Sequence, residues 1–125
     1  MQRMEISGRA LVFPNPEGWR AWLEEHHASE EEAWVVICKK HGTTALVSLV
    51  EATEEALCFG WIDSSMQPID AERYALRYTP RRKASNWSPT NRARVERLIA
   101  EGRMSDAGFA AIEEAKRSGR WDDEG

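Results

Sequence analysis

The chain has 125 residues, of which 42% are hydrophobic and 30% charged, a composition typical of one folded domain and not of a disordered chain. Its longest apolar run, AWVVIC at 33–38, is far shorter than the roughly 20 residues of a membrane-spanning helix, which argues against membrane insertion. The net charge of −4 does not favour a general nucleic-acid binder. We therefore predict a single domain over residues 1–125.

The first half of the chain shows strand and helix signals in alternation. Residues 10–13 (ALVF) predict a short strand, and Asn15 followed by Pro16 predicts the capped start of a helix. AWVVICKK at 33–40 is rich in β-branched and aromatic residues, which indicates a central strand. The next helix lies within residues 48–60, because Ser48 and Glu51 have capping-box spacing and Gly60 is placed to end it.

The second half predicts a hairpin followed by two helices. Residues 61–66 and 73–80 predict strands joined by a turn, and helices follow at 89–101 and 106–118, capped by Ser88 and Ser105. Helical spacing predicts these inward-facing side chains: Trp19, Trp22, Leu23, Val50, Thr53, Ala56, Leu57, Val95, Leu98, Ile99, Phe109, Ile112 and Ala115. The fold class is α+β, a small antiparallel sheet with helices packed on it, ending in a C-terminal helix pair.

The cysteines and histidines do not predict a metal or cofactor site. Cys38 and Cys58 form no C-x-x-C motif, and we expect both to be reduced and buried. His26, His27 and His41 match no ligand spacing, so we expect neither a metal nor a cofactor. The charged N-terminus has no apolar core of a signal peptide, which predicts a cytoplasmic protein.

One basic segment lies within this acidic chain. Residues 73–103 carry nine of the 17 basic residues and only two of the 21 acidic ones. At its centre, TPRRKASNWSPTN (79–91) runs directly into a proline-started helix, where free backbone N–H groups would add to the arginine charges. The predicted donors to an anion are Arg81, Arg82, Ser85 and Ser88. The alternatives are a purely structural joint, or pairing of these cations with the acidic residues of the chain itself.

CFGWID at 58–63 is a second candidate. Asp63 follows Trp61 and could act as an acid, a base or a hydrogen-bond acceptor. A structural interpretation also accounts for the segment: Gly60 caps a helix, Trp61 packs in the core, and Asp63 bonds to the backbone or to an arginine such as Arg77.

The functional hypotheses follow from these two segments. The leading one is a pocket that binds a small anionic ligand or an acidic protein segment. Its predicted residues are Trp61, Asp63, Arg77, Arg81, Arg82, Ser85, Trp87, Ser88 and Asn91. One alternative is an enzyme acting on a phosphorylated or carboxylated small molecule with Asp63 as acid or base, although the sequence contains no recognised catalytic motif. The other is a single-stranded nucleic-acid module, which the overall acidity disfavours. The sequence does not predict an oligomeric state.

The segments EALCFGWIDSS and TPRRKASNW, together with GWRAWLEEHH and EAWVVICKK, resemble the YdeI/OmpD-associated family of bacteriocin-protection proteins. The resemblance covers the chain from Ala10 to Trp121. It implies a YjbR/CyaY-like α+β fold and a link to tolerance of cationic antimicrobial peptides, to envelope stress and to an outer-membrane porin. It implies no catalytic residues. Longer relatives continue past the position of Trp121 into a further helical segment, and on this resemblance we expect that segment to be missing here.

Overall fold

The structure is a computed structural model, and it describes residues 10–39, 46–81 and 87–121. These residues form four helices and three strands, which in chain order are α1 (Pro16–His26), β1 (Ala33–Cys38), α2 (Leu49–Cys58), β2 (Trp61–Pro68), β3 (Arg73–Pro80), α3 (Pro89–Ala100) and α4 (Asp106–Ser118). The prediction of an α+β fold, with helices on a small antiparallel sheet and a C-terminal helix pair, is confirmed. None of the helices in these ranges has the length and apolar character needed to cross a membrane.

Each helix begins at the predicted capping residue. The side chain of Asn15 accepts a hydrogen bond from the amide of Gly18, and Ser48 and Glu51 make both bonds of a capping box. Ser88 and Ser105 accept from backbone amides three residues further along. Because these bonds satisfy the otherwise unpaired amides of the first turn, the helix starts are fixed by local sequence.

The sheet has the strand order β1-β3-β2 with both pairs antiparallel. The prediction that residues 33–40 form a central strand is wrong, because β3 takes the centre and β1 lies at an edge and ends at Cys38. β1 is apolar although it lies at an edge, because it is buried on both faces: Val35 and Val36 point to opposite faces, and both are buried. The strand predicted at residues 10–13 is reduced to one parallel bridge between Leu11 and Val35, since Pro14 follows closely and has no amide to continue a ladder.

Strand alternation gives the sheet two different faces. The inner face carries Trp61 and Tyr78 and is covered by the helices, whereas the outer face carries Arg77 and, across from each other on β2 and β3, Ile62 and Thr79. The pairing of β2 with β3 shifts after Asp63, at an irregularity that precedes Met66. Side chains near this end of the hairpin form the candidate site.

The core joins the helices to the inner face through ring contacts and two buried hydrogen bonds. The Trp19 indole N–H donates to the carbonyl oxygen of Ala52 at 2.9 Å, and the hydroxyls of Thr53 and Tyr78 are 3.0 Å apart. The rings of Trp19 and Tyr78 lie 5.4 Å apart. Both hydrogen bonds are made by groups that would be costly to bury unpaired, so they fix α2 against α1 and β3.

Helical spacing assigns three residues to the core that the structure leaves largely exposed: Val50 (53%), Ile99 (38%) and Phe109 (41%). α2 also buries the charged residue Glu55, which is only 6% exposed. The Arg20 guanidinium donates to this carboxylate at 3.0 Å and the Arg103 guanidinium at 2.8 Å. Periodicity alone did not predict a buried charge, because its burial depends on two partners distant in sequence.

Candidate functional site

An open pocket of about 610 Å³ lies on the outer face of the sheet, where β2 begins and β3 ends. The antiparallel pairing brings alternate side chains of the two strands together there, and the segment before β1 supplies the acidic side. The lining residues are Glu31, Glu32, Ile62, Ser64, Arg77, Thr79, Pro80 and Arg81. Two of the predicted site residues, Arg77 and Arg81, are therefore brought together.

Hydrogen bonds to two neighbouring side chains hold Arg77 in the pocket wall. Its Nε donates to Oε1 of Glu32 at 2.6 Å, and a terminal nitrogen lies 3.3 Å from the hydroxyl oxygen of Ser64. The partner of Arg77 is thus Glu32, and the proposed pairing of Arg77 with Asp63 is wrong. The ion pair orients the guanidinium and offsets much of its charge.

Arg81 follows β3 and is fixed by a different kind of contact. Its backbone amide donates to the carbonyl oxygen of Gly60 at 2.9 Å, and its guanidinium carbon lies 3.8 Å from the centre of the Trp87 ring. Burial lowers the pKa of Arg81 to about 10, and the nearby charge of Asp63 acts in the opposite direction. Arg81 is therefore a cation at neutral pH, partly removed from water at the edge of the pocket.

Trp87 supports Arg81 and does not line the pocket. It is only 3% exposed, its ring lies 5.1 Å from that of Trp121, and its amide donates to the carbonyl oxygen of Arg120 at 3.1 Å. The ammonium of Lys116 lies 5.2 Å from the Trp121 ring. The orientation of Arg81 consequently depends on the segment after α4, which sequence spacing did not indicate.

The other predicted residues have different places. Trp61 is buried in the core, and Asp63 is exposed on the inner-face side of β2, between two residues that line the pocket. Ser88 caps α3, and the Asn91 side chain accepts from Arg94 at 3.0 Å, so both belong to the helix start. Arg82 and Ser85 lie outside the described residues.

Four polar residues of the pocket wall are absent from the sequence-based site: Glu31, Glu32, Ser64 and Thr79. Strand alternation could have predicted Ser64 and Thr79, since they share a face with Arg77 once the hairpin register is known. Glu32 had no comparable signal, because its contact with Arg77 joins positions 45 residues apart.

The chemistry of this wall is that of recognition by hydrogen bonds and charge. Two guanidinium groups and two hydroxyl groups can donate to an anion, while Glu31 and Glu32 balance the formal charge of the arginines. Asp63 is not in the wall, so the geometry does not place it as an acid or base for a ligand bound there. Over the described ranges, no three His, Cys, Asp or Glu side chains cluster as metal ligands would.

Comparison with known proteins gives one result. Residues 11–111 match the family model described as "Domain of unknown function (DUF8412)". The chain belongs to the DUF8412 family. No curated protein and no solved structure matches it significantly. Every residue of the pocket wall lies within the DUF8412 match, so the pocket is a feature of the matched domain.

Proposed function

We propose that this DUF8412 domain binds a carboxylate, either of a small molecule or of an acidic side chain on a protein partner, in the pocket between Arg77 and Arg81. The observation that carries the proposal is the convergence of these two guanidinium groups on one open pocket, with the hydroxyls of Ser64 and Thr79 beside them. A carboxylate accepts two parallel bonds from a guanidinium, and this geometry suits a planar anion.

Arg81 is the principal anchor. Its guanidinium packs on Trp87 and is partly shielded from water, so part of the cost of desolvating the cation is met before a ligand arrives. Arg77 is already bonded to Glu32 and serves mainly to position the ligand.

The balance of charges favours a carboxylate over a phosphate. Glu31 and Glu32 also line the pocket, so a doubly charged phosphate would meet repulsion that a single carboxylate largely avoids. The same carboxylates would disfavour a nucleic-acid backbone. We therefore expect monocarboxylates, and dicarboxylates such as succinate whose two charges are separated by methylene groups, to bind better than inorganic phosphate.

Isothermal titration calorimetry with succinate, acetate and inorganic phosphate tests this proposal. The wild-type protein should bind succinate saturably at millimolar concentration, and Arg81→Gln should weaken that binding at least about tenfold, which is about 1.4 kcal/mol. Arg117→Gln is the matched control, because Arg117 is an exposed arginine of α4 outside the pocket. Equal weakening by the two substitutions, or the absence of succinate binding, would contradict the proposal.

The cellular setting is a separate proposal that rests on the resemblance to the YdeI/OmpD-associated proteins. We propose a cytoplasmic role in tolerance of antimicrobial peptides or bacteriocins. Cells without the protein should be more sensitive to a cationic peptide, and the wild-type gene should restore tolerance where Arg81→Gln does not. Restoration by both forms would separate the cellular role from the pocket.

A further inference from the structure

A second pocket, of about 300 Å³, lies beside the first at the N-terminal end of β1. It is lined by Leu11, Trp22, His26, Glu30, Glu32, Ala33 and Trp34. Two indoles, an imidazole and two carboxylates thus surround one opening, and among the described residues no lysine or arginine lines it. Its lining is acidic and aromatic, whereas the lining of the first pocket combines arginines with carboxylates.

Ring contacts and a backbone hydrogen bond hold the aromatic walls of this pocket in place. The Trp22 ring lies 5.5 Å from that of Trp19, 4.9 Å from that of His26 and 5.9 Å, edge to face, from that of Trp61. Trp34 is fixed by its strand, since its carbonyl oxygen accepts from the amide of Leu11 at 2.7 Å. Both indoles remain partly exposed, so they provide preformed aromatic surface at the opening.

The carboxylates come from the short segment between α1 and β1. The amide of Glu30 donates to the carbonyl oxygen of His26 at 2.9 Å, which holds the segment against the end of α1. Glu32 is oriented by its ion pair with Arg77. Glu30 is exposed and makes no ion pair with any residue of the described ranges, so its charge is available to a ligand.

We propose that this pocket binds a small organic cation with an alkylated ammonium head. The faces of aromatic rings attract cations, and tryptophan does so most strongly. The methyl groups of such a head gain from contact with the indoles, while its positive charge is balanced chiefly by Glu30, since Glu32 is already paired with Arg77. A hydrated metal ion would gain little from aromatic walls, and a neutral ligand would gain nothing from the carboxylates.

The proposal is independent of carboxylate binding by Arg81, because a different pocket and the opposite ligand charge are involved. Glu32 is the one residue that lines both pockets. Variants for the test therefore avoid Glu32 and use Glu30 and Trp34, which line only the second pocket.

The test is calorimetric titration with choline and with its neutral isostere 3,3-dimethyl-1-butanol, in which carbon replaces the nitrogen. We expect choline to bind saturably at millimolar concentration and the neutral isostere to bind at least about tenfold more weakly. Glu30→Gln and Trp34→Leu should each weaken choline binding several-fold. Glu113→Gln removes the same charge from an exposed position on α4 and should leave binding unchanged.

Spectroscopy locates the bound cation. In ¹H–¹⁵N spectra, choline should shift the indole N–H resonances of Trp22 and Trp34 and leave that of Trp121 in place. Because Glu30 is exposed, Glu30→Gln keeps the fold and gives a clear result even if Trp34→Leu does not fold. Equal affinity for the neutral isostere, no weakening by Glu30→Gln, or no binding of choline would each overturn the proposal.

Discussion

The guanidinium carbon of Arg81 lies 3.8 Å from the centre of the Trp87 ring, and this contact links the candidate site to the C-terminal part of the chain. Trp87 packs in turn against Trp121, and its amide bonds to Arg120, just after α4. Arg81 is thus set at the pocket edge by residues that do not line the pocket themselves. The predictions below separate what this arrangement does for binding from what it does for stability.

Replacing Arg81 should affect binding far more than folding. Burial lowers the pKa of Arg81 from its ordinary value to about 10, so folding disfavours the cation at neutral pH. Arg81→Met relieves that penalty and loses a cation–π contact worth about 0.5–2 kcal/mol. We expect urea unfolding at pH 7 to show a change of less than about 1 kcal/mol, together with loss of succinate binding. A large loss of stability would make Arg81 a structural residue.

The buried carboxylate of Glu55 should contribute strongly to stability. It accepts bonds from Arg20 and Arg103, so its removal leaves two guanidinium groups without their shared anion. We expect Glu55→Gln to lower the free energy of unfolding by about 2–4 kcal/mol. Glu113→Gln on the exposed side of α4 should change it by less than about 0.5 kcal/mol. If both substitutions change the free energy of unfolding by a similarly small amount, the ion pairs of Glu55 contribute little to stability.

The close packing of α4 on the end of α2 depends on Gly108. A Cβ at this position would lie 2.8 Å from the carbonyl carbon of Cys58, and backbone cannot move as a flexible side chain can. We expect Gly108→Ala to lower the free energy of unfolding by about 2–3 kcal/mol. Gly18→Ala is the control, because the atoms nearest the added Cβ would belong to side chains, those of Phe13 at 3.2 Å and Asn15 at 3.6 Å, and not to the backbone. At Gly18 we expect a much smaller change in the free energy of unfolding, and equal losses at the two sites would contradict this account of the packing.

Asp70 should make the turn between β2 and β3 sensitive to acid. The Arg73 guanidinium, and then the amides of Glu72 and Arg73, lower the pKa of Asp70 to about 2. Because the folded-state pKa is below the ordinary value of 3.8, the stabilisation is present above about pH 4 and is lost as the pH falls through 2. A ¹³C NMR titration should give a pKa well below 3.8, and Asp70→Asn should flatten the fall in stability over this range. A titration midpoint of Asp70 near 3.8 would contradict the contact between Asp70 and Arg73.

Local sequence determined most of the secondary structure. The caps at Asn15, Ser48, Ser88 and Ser105 act within three residues of themselves, so their roles could be predicted without a fold. The order of the strands could not be predicted in this way, because the apolar run at 33–38 is compatible with either a central strand or a covered edge strand.

The site was predicted only in part. Arg77 and Arg81 were identified from charge and alternation, and both line the pocket. Their immediate partners, Glu32 and Trp87, required knowledge of contacts across the fold, which no local pattern contains. Asp63 was singled out by its neighbours in sequence, but alternation along β2 turns it away from the pocket that Ile62 and Ser64 line.

The most direct measurement of the central claim is a ¹H–¹⁵N NMR titration of the arginine Nε–H groups with succinate. The Arg81 signal, assigned by its loss in Arg81→Gln, should shift saturably with the affinity found by calorimetry. The signal of Arg117, which is exposed on α4, should stay in place. An unmoved Arg81 signal, or equal shifts of both arginines, would contradict carboxylate binding in this pocket.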